Sequence, residues 1–415
     1  MVKKLKKLRR PRDLLLLFEI LAILLLFFYY DGEFDRDILF LAGGLIFIIY
    51  ISNFVLGRVT TGDNYIFLIV SLLLSIGVIT IFRIDPETGI KQLQWAFLGI
   101  LFFYFTYFLV RHFRHLDQLA SLYLIASVAL FVLTLAIGAA FGGAKNWLDL
   151  GFGTFQPTEF IKILLVFLLA SFYSNYGKYE KYNYTAYIMM AIVYLFIVFL
   201  FLQKDLGTAV IFLGIFMGIQ FIYEKDRKAI LTNLGLVLVG SILGFLLFSH
   251  VKTRVSIWLD PWSDVYNSGR QIAQSLFAIA EGGYFGTGLG LGYPELIPVR
   301  ESDFIFPVIC EEMGIFAGIG IIMLYLLLTY RGVKIAFAQQ NKFYRILALS
   351  ISILFALQSF LNIGGVIKLI PMTGITLPFV SYGGSSMLSS FIALGVLQVC
   401  SEDLSWKEEK EGGDR

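Results

Sequence analysis

The feature that most limits what this chain can become is a spacing. Apolar runs of about 17 to 25 residues recur from Leu14 to Cys400, each long enough to carry a helix through a bilayer. In hydrocarbon every backbone N–H and C=O needs an internal partner, which an open sheet cannot supply, so the runs read as helices. About twelve spans follow from length and flanking charge, starting near Leu14, Ile38, Tyr65, Leu93, Leu119, Thr158, Thr185, Gly207, Ala229, Phe304, Ile346 and Ser385. Only 15% of the 415 residues are charged, whereas a soluble domain carries roughly 25%. The predicted fold class is an all-α polytopic membrane protein.

Lys and Arg set its orientation. The basic start "MVKKLKKLRRPR" (1–12) is expected to stay in the cytoplasm. Twelve crossings then put "RHFRH" (111–115), "GKYEKY" (177–182), "EKDRK" (224–228) and "YRGVK" (330–334) inside, and the acidic "DGEFDRD" (31–37) outside. Residues 401–415 read as a solvated, disordered cytoplasmic tail. The first run, Leu14 to Tyr30, is followed by acids without a small-residue cleavage site, so no cleavable signal is expected. Cys310 and Cys400 fall in spans and imply no disulfide framework, and His112, His115 and His250 lack metal-ligand spacing. The net charge of +3 says little by itself, and no nucleic-acid partner is expected.

The outer segments differ from the inner ones. Three are long or densely polar: "GGAKNWLDLGFGTFQPTE" (142–159), the stretch 250–303, and "GGVIKLIPMTGITLPFVSYGGSS" (364–386), where Pro371, Pro378 and Gly383–Gly384 break the helical pattern. Non-helical backbone at a membrane face needs burial in protein or access to water. Three such segments on one face predict a shared cavity open to the outside.

Charge inside or beside a span needs a reason. Glu159 and Lys162 share a helix face and can pair with each other or meet a ligand. Lys204 and Asp205 sit between two spans with almost no loop; Asp205 can cap the next helix while Lys204 faces the cavity. Arg254 can bind a phosphate bidentately or pair with Asp260 or Asp264. Asp303 either caps the helix it precedes or acts as a tuned base. Glu311 lies about 12 Å further along, within roughly 80° of the same face, and it or Glu312 can raise the upper carboxyl by like-charge repulsion. "SYGGSS" (381–386) can be an anion-binding nest or a loop entering a helix capped by Ser385.

Taken together and in this order, "GGAKNWLDLGFGTFQPTEFIKI", "KDLGTAV", "ESDFIFPVICEEMG" and "LNIGGVIKLIPMTGITLPFVSYGGSS" resemble the SEDS proteins of bacterial wall synthesis, the RodA/FtsW/SpoVE group. The likeness runs from about Tyr65 to Cys400. It implies a ten-helix core at 65–400, preceded by a basic start (1–13) and an extra transmembrane pair (14–64), with the large outer loop at 250–303. It also implies a peptidoglycan glycosyltransferase that polymerises lipid II on the outer face of the cytoplasmic membrane, for cell shape or division. Such an enzyme releases undecaprenyl diphosphate and works with a class B penicillin-binding protein. The family's essential acid maps onto Asp303. Its other polar positions map onto Gln156, Glu159, Lys162, Asp205 and Arg254, and its Ser-Tyr-Gly-Gly-Ser element onto Ser381, Gly383, Gly384 and Ser385. Two positions depart from the family: Asn146 stands where many members have Arg, and Lys204 where many have Pro. Lys145 or Lys204 is then the expected substitute cation.

This chemistry fits the layout. A diphosphate leaving group calls for cations, with Arg254, Lys145, Lys162 and Lys204 as candidates and a divalent ion (Mg or Mn) as a further one. The attacking sugar hydroxyl calls for a base, and Asp303 is the choice. Two rival readings are a lipid II flippase, which would place its charges near the midplane within repeated halves, and a scaffold for wall enzymes, which would tolerate substitution of Asp303.

Overall fold

The computed structural model describes residues 2–29, 36–113, 115–141, 144–149, 151, 153–179 and 184–402. Residues 31–35 of the acidic turn, Arg114, 180–182 and the tail from 403 onward, all read in the sequence, lie outside the described residues. Among the described residues fifteen α-helices run in order: α1 (Val2–Tyr29), α2 (Arg36–Val59), α3 (Tyr65–Ile84), α4 (Pro86–His112), α5 (Ala120–Ile137), α6 (Pro157–Ser174), the single turn α7 (Tyr176–Tyr179), α8 (Thr185–Gln203), α9 (Leu206–Tyr223), α10 (Arg227–Leu247), α11 (Ser249–Leu259), α12 (Arg270–Gly282), α13 (Ile305–Ala338), α14 (Lys342–Val366) and α15 (Gly384–Cys400).

Ten of these are long and apolar enough to cross a bilayer: α2 to α6, α8, α9, α10, α13 and α14. The expectation of about twelve adds α1 and the shorter α15, an apolar helix of 17 residues. Their packing is graded. Helices α3, α6, α14 and α15 are buried along most of their length, whereas α10 buries only Ala229, Asn233 and Gly244. Leu231, Leu238 and Ile242 of α10, Phe105 of α4, Ile125 of α5 and Phe316 of α13 are exposed and apolar. A belt of that extent would be a liability in water and suits lipid.

Between α5 and α6 the chain departs from helix. Strands β1 (Ala139–Phe141), β2 (Ala144–Asp149) and β3 (Thr154–Phe155) form a small antiparallel sheet, with Ala139 opposite Trp147 and Leu148 opposite Phe155. The all-α expectation missed it because the segment is short, polar and Gly-rich, with too few residues to show a period. Likewise the stretch 250–303, read as a loop, contains α11 and α12.

Buried polar contacts hold the bundle together. The N-terminal pair docks on α3, where Ser75 donates to Glu19 Oε1 at 2.8 Å and Asn53 donates to Ser71 at 2.9 Å. At the end where α4 and α15 finish, Glu402 accepts from Thr60 and Tyr107 at 2.6 and 2.5 Å and pairs with Arg111 at 3.2 Å.

Helix α13 is broken at Gly314, whose φ of 81° and ψ of 171° lie outside the helical region. The break frees backbone groups, and the Gly-rich loop after α12 satisfies them. Thr287 and Gly288 N–H donate to the carbonyls of Glu311 and Glu312 at 2.9 and 3.0 Å, and Ile315 N–H donates to Gly283 at 3.0 Å. The glycines of "GGYFGTGLGLG" therefore let backbone lie on backbone: a Cβ at Gly286 would stand 2.1 Å from Glu312 O. Arg83 of α3 secures the same loop. Its Nη2 donates to the carbonyls of Gly290 and Gly292 at 2.7 and 3.0 Å, and its Nε pairs with Glu312 at 2.7 Å.

Candidate active site

Helices α4, α6, α9, α13 and α15 all start at one end of the bundle, because successive crossings alternate in direction. Their N-termini leave backbone N–H groups unpaired within the helix and carry partial positive charge, which favours an anionic ligand. A cavity of about 790 Å³ opens among the first turns of these helices and takes in Asp303, Glu159, Lys162, Asp205 and Ser385.

Asp303 stands in the turn before α13, and three elements fix it there. Asn362 of α14 donates to the Asp303 carbonyl at 3.0 Å and to Ile375 O at 2.7 Å. Ser381 donates to Ser302 O at 2.6 Å and accepts from Leu377 N–H at 2.8 Å. Tyr382 N–H donates to Glu301 O at 2.8 Å, and Gln92 of α4 holds the Ser381 carbonyl at 2.9 Å. Burial pushes the Asp303 carboxyl above the usual aspartate range, opposed by attraction to Arg254 and a hydrogen bond with Ser302. Arg254 of α11 is itself tied by a 3.0 Å bond from Nη1 to Thr373 O. The acids that offered it a plain ion pair are engaged elsewhere: Asp260 caps the turn at Trp262, and Asp264 accepts from Ser268 and Asn267.

Across the cavity Lys162 donates to Glu159 Oε1 at 2.8 Å, both buried, while Ser389 donates to Glu159 Oε2 at 2.7 Å. The pair is thus a salt bridge that also lines the site. Asp205 caps α9 by accepting from Thr208 N–H at 3.1 Å, and its other oxygen accepts from Asn146 at 3.1 Å and Gln156 at 3.4 Å. Ser385 accepts from Gln156 N–H at 3.0 Å. Gly383 and Gly384 line the cavity beside it, whereas Ser381 works behind it as a fastener.

Besides Ser381 and Arg254, four expected residues are not part of the cavity lining. Lys145 donates to the Leu135 carbonyl at 2.6 Å and is not part of the lining. Lys204 forms the left-handed C-cap of α8, with φ 60°, outside the lining. Glu311 accepts from Tyr293 N–H at 2.9 Å, and Glu312 pairs with Arg83; both secure the loop after α12 rather than tune Asp303. The helical phase that put Glu311 beneath Asp303 does not reach Asp303, which precedes the first residue of α13.

Lys91, Gln94 and Trp95 of α4 also line the cavity, with Trp147 and Tyr382. The first three lie at i, i+3 and i+4, one helix face, and that spacing in "KQLQW" was the available signal. Two further hollows adjoin. One of about 240 Å³ shares Asp303 and Gly374 with the main cavity and adds Arg254, Trp258, Gln271 and Lys368. The other, about 510 Å³ and almost wholly apolar, is walled by α8, α9 and α10 and also reaches Arg254. Of the non-Gly residues with positive φ, one lines these hollows: Lys368, at 62°. Backbone held in that region costs of order 1–3 kcal/mol per residue and clusters at functional sites. Among the described residues no group of three or more His, Cys, Asp or Glu is placed to hold a metal ion, so no chemical step is assigned to one.

The family model described as a cell cycle protein, FtsW/RodA/SpoVE, matches residues 63–405. The chain belongs to the FtsW/RodA/SpoVE family. A FtsW/RodA/SpoVE relative named peptidoglycan glycosyltransferase RodA, from Mycobacterium tuberculosis (strain ATCC 25618 / H37Rv), is 32% identical over 362 residues, covering 81% of this chain and 77% of its own. Stage V sporulation protein E of Bacillus subtilis (strain 168) is 33% identical over 361 residues, covering 81% and 96%. Among solved structures, one titled as a peptidoglycan synthase complex that coordinates polymerization and crosslinking matches with TM-score 0.69 at 27% identity, covering 82% of this chain and 97% of that one. Rod shape determining protein RodA of Thermus thermophilus matches with TM-score 0.62 at 25% identity, again over 82% and 97%. Family membership and ten apolar helices make this a multi-pass membrane protein.

Proposed function

We propose that this chain is a peptidoglycan glycosyltransferase that polymerises lipid II at the outer face of the cytoplasmic membrane, with Asp303 as general base. The single observation that carries the reading is the position of Asp303: it forms a wall of a polar cavity rimmed by helix N-termini and sits beside Arg254. In this reading α1 and α15 also cross, both termini are cytoplasmic, and the cavity opens to the outside.

The chemistry needs one base and a stabilised leaving group. The acceptor sugar hydroxyl gives its proton to the Asp303 carboxylate as its oxygen attacks the donor's anomeric carbon. The bond from that carbon to the diphosphate breaks, and undecaprenyl diphosphate leaves with the electron pair. Arg254 opposes the charge that develops there, and the helix N-termini add fixed dipoles. Glu159, held by Lys162, lies beneath the sugars, where it and Gln156 are available to their hydroxyls. A class B penicillin-binding protein is the partner this reading expects, and the likeness to a solved synthase complex supports it.

A flippase is the rival. Its polar groups would belong near mid-bundle, whereas here they gather at the starts of five helices. Liposomes containing only this protein and outward-facing labelled lipid II separate the two. Glycan strands support the enzyme; transfer of lipid II between leaflets without polymer contradicts it.

A further inference from the structure

The smaller hollow beside Asp303 holds a second cation that neither the sequence reading nor the mechanism above uses. Lys368 follows α14 with φ 62°, in the position where a helix usually ends on glycine. Its turn is well made: Leu369 N–H and Ile370 N–H both return to Gly364 O, at 2.8 and 3.1 Å, and Trp258 Nε1 donates to the Lys368 carbonyl at 3.2 Å. Glycine would meet these backbone demands at no steric cost. A side chain that incurs strain here therefore calls for a use beyond the turn.

Its surroundings supply one. Lys368 lines the hollow of about 240 Å³ together with Arg254, Gln271 and Asp303. Among the described residues no carboxylate forms an ion pair with its ammonium, and Arg254 is bound to a neutral carbonyl. Two cations thus face one carboxylate across a small space. Arg254 also reaches the apolar groove of about 510 Å³. Charge on one side and apolar wall on the other suit an amphiphile whose head carries two negative charges.

We propose that Lys368 and Arg254 form a clamp for the donor's lipid-linked diphosphate, holding it behind Asp303 while the large cavity takes the sugars. This rests on the lipid II reading and deepens it. Arg254 supplies the planar, bidentate contact and Lys368 a mobile point charge. As the anomeric carbon–oxygen bond breaks, the electron pair passes to the diphosphate, and the second cation meets the added charge. The clamp also stands in for the basic residue that Asn146 replaces, since Lys145 is turned away.

The test uses the full chain in detergent, with binding read by isothermal titration calorimetry. Undecaprenyl diphosphate and undecaprenyl monophosphate are titrated into wild type, Lys368→Gly and Lys368→Arg. Glycine removes the charge and the backbone strain together, so folding is protected, and the melting temperature should hold or rise. The expected result is diphosphate affinity about tenfold weaker in Lys368→Gly, a much smaller change for the monophosphate, and recovery in Lys368→Arg. Equal diphosphate affinity in wild type and Lys368→Gly overturns the clamp, as does wild type that does not bind diphosphate. Because binding is read without turnover, loss of the clamp and loss of the polymerase reading give different results. Polymerisation with Lys368-independent binding removes only the former, and Lys368-dependent binding without polymerisation removes only the latter.

Discussion

Asp303 and Arg254 meet across Gly374: a Cβ built on that glycine would lie 3.6 Å from Asp303 Oδ2 and 3.6 Å from Arg254 Nη2. The glycine has φ 72°, a conformation that side chains rarely adopt. Backbone shape and the spacing of the proposed base and its cation thus come together at one position.

Gly374→Ala should therefore harm activity more than folding. Strain at this φ costs on the order of 1 kcal/mol, a modest change in melting temperature, while a methyl in contact with both side chains would fill the space between them that substrate needs and should slow glycan formation at least about tenfold. Initial rates with labelled lipid II, set beside a thermal melt, check both. An unaltered rate would mean that Asp303 and Arg254 do not act together.

The pH profile carries a sign. Burial holds the Asp303 carboxyl above the ordinary aspartate range, and the proposed general base acts in its ionised form. Activity should be lost on acidification through that raised value, at higher pH than an ordinary aspartate would give. Arg254 pulls the value down, so Arg254→Met should move the acid limb of kcat/KM to higher pH. An unmoved limb would separate Arg254 from the base.

The same shift bears on stability. A carboxyl raised by folding binds its proton more tightly in the folded state, so its favourable contribution is present at low pH and is lost as pH rises through the folded value. Above the ordinary aspartate range the raised carboxyl is a cost to folding. Asp303→Asn should melt no lower than wild type at neutral pH, as circular dichroism or scanning fluorimetry will show.

The Arg83–Glu312 pair anchors the Gly-rich loop at the break in α13. Removing Glu312 leaves the buried Arg83 without its counter-ion, so Glu312→Met should cost about 3 kcal/mol. Arg83→Met with Glu312→Met should recover much of this, because an apolar pair of similar size often replaces a buried ion pair at little cost. Melting temperatures of the two variants and the double variant form the cycle.

Lys145 gives the contrasting case. Its ammonium serves the Leu135 carbonyl at 2.6 Å, away from the cavity. Lys145→Met should leave polymerisation within about twofold of wild type, since the bond it loses is part-buried, lies outside the cavity lining and is worth about 1 kcal/mol. A large loss would bring Lys145 back as the substitute for the base missing at Asn146.

What was legible in the sequence follows from which signals are periodic. Run length gave the spans, since bilayer thickness sets it, and Lys and Arg gave the grouping of loops at one end of the bundle. Asp303, Arg254, Glu159, Lys162, Asp205 and Ser385 could be named because charge or polarity beside an apolar run stands out, and the structure brings all six to connected hollows. Direction was harder. Whether Lys145 turns in or out depends on strand register in a segment too short to fix it. Glu311 was misplaced because helical phase was carried past the start of α13. Lys368 was hidden in the sequence, since its position after α14 becomes meaningful only when its φ is known.

The most direct test of the account is glycan synthesis by purified Asp303→Asn with labelled lipid II, beside wild type and with folding checked by melting. Asparagine keeps the shape of the side chain and its place beside Arg254 but cannot accept the proton. The account predicts a folded protein whose rate falls by at least about a hundredfold. Glycan strands made by the variant at near the wild-type rate would contradict it.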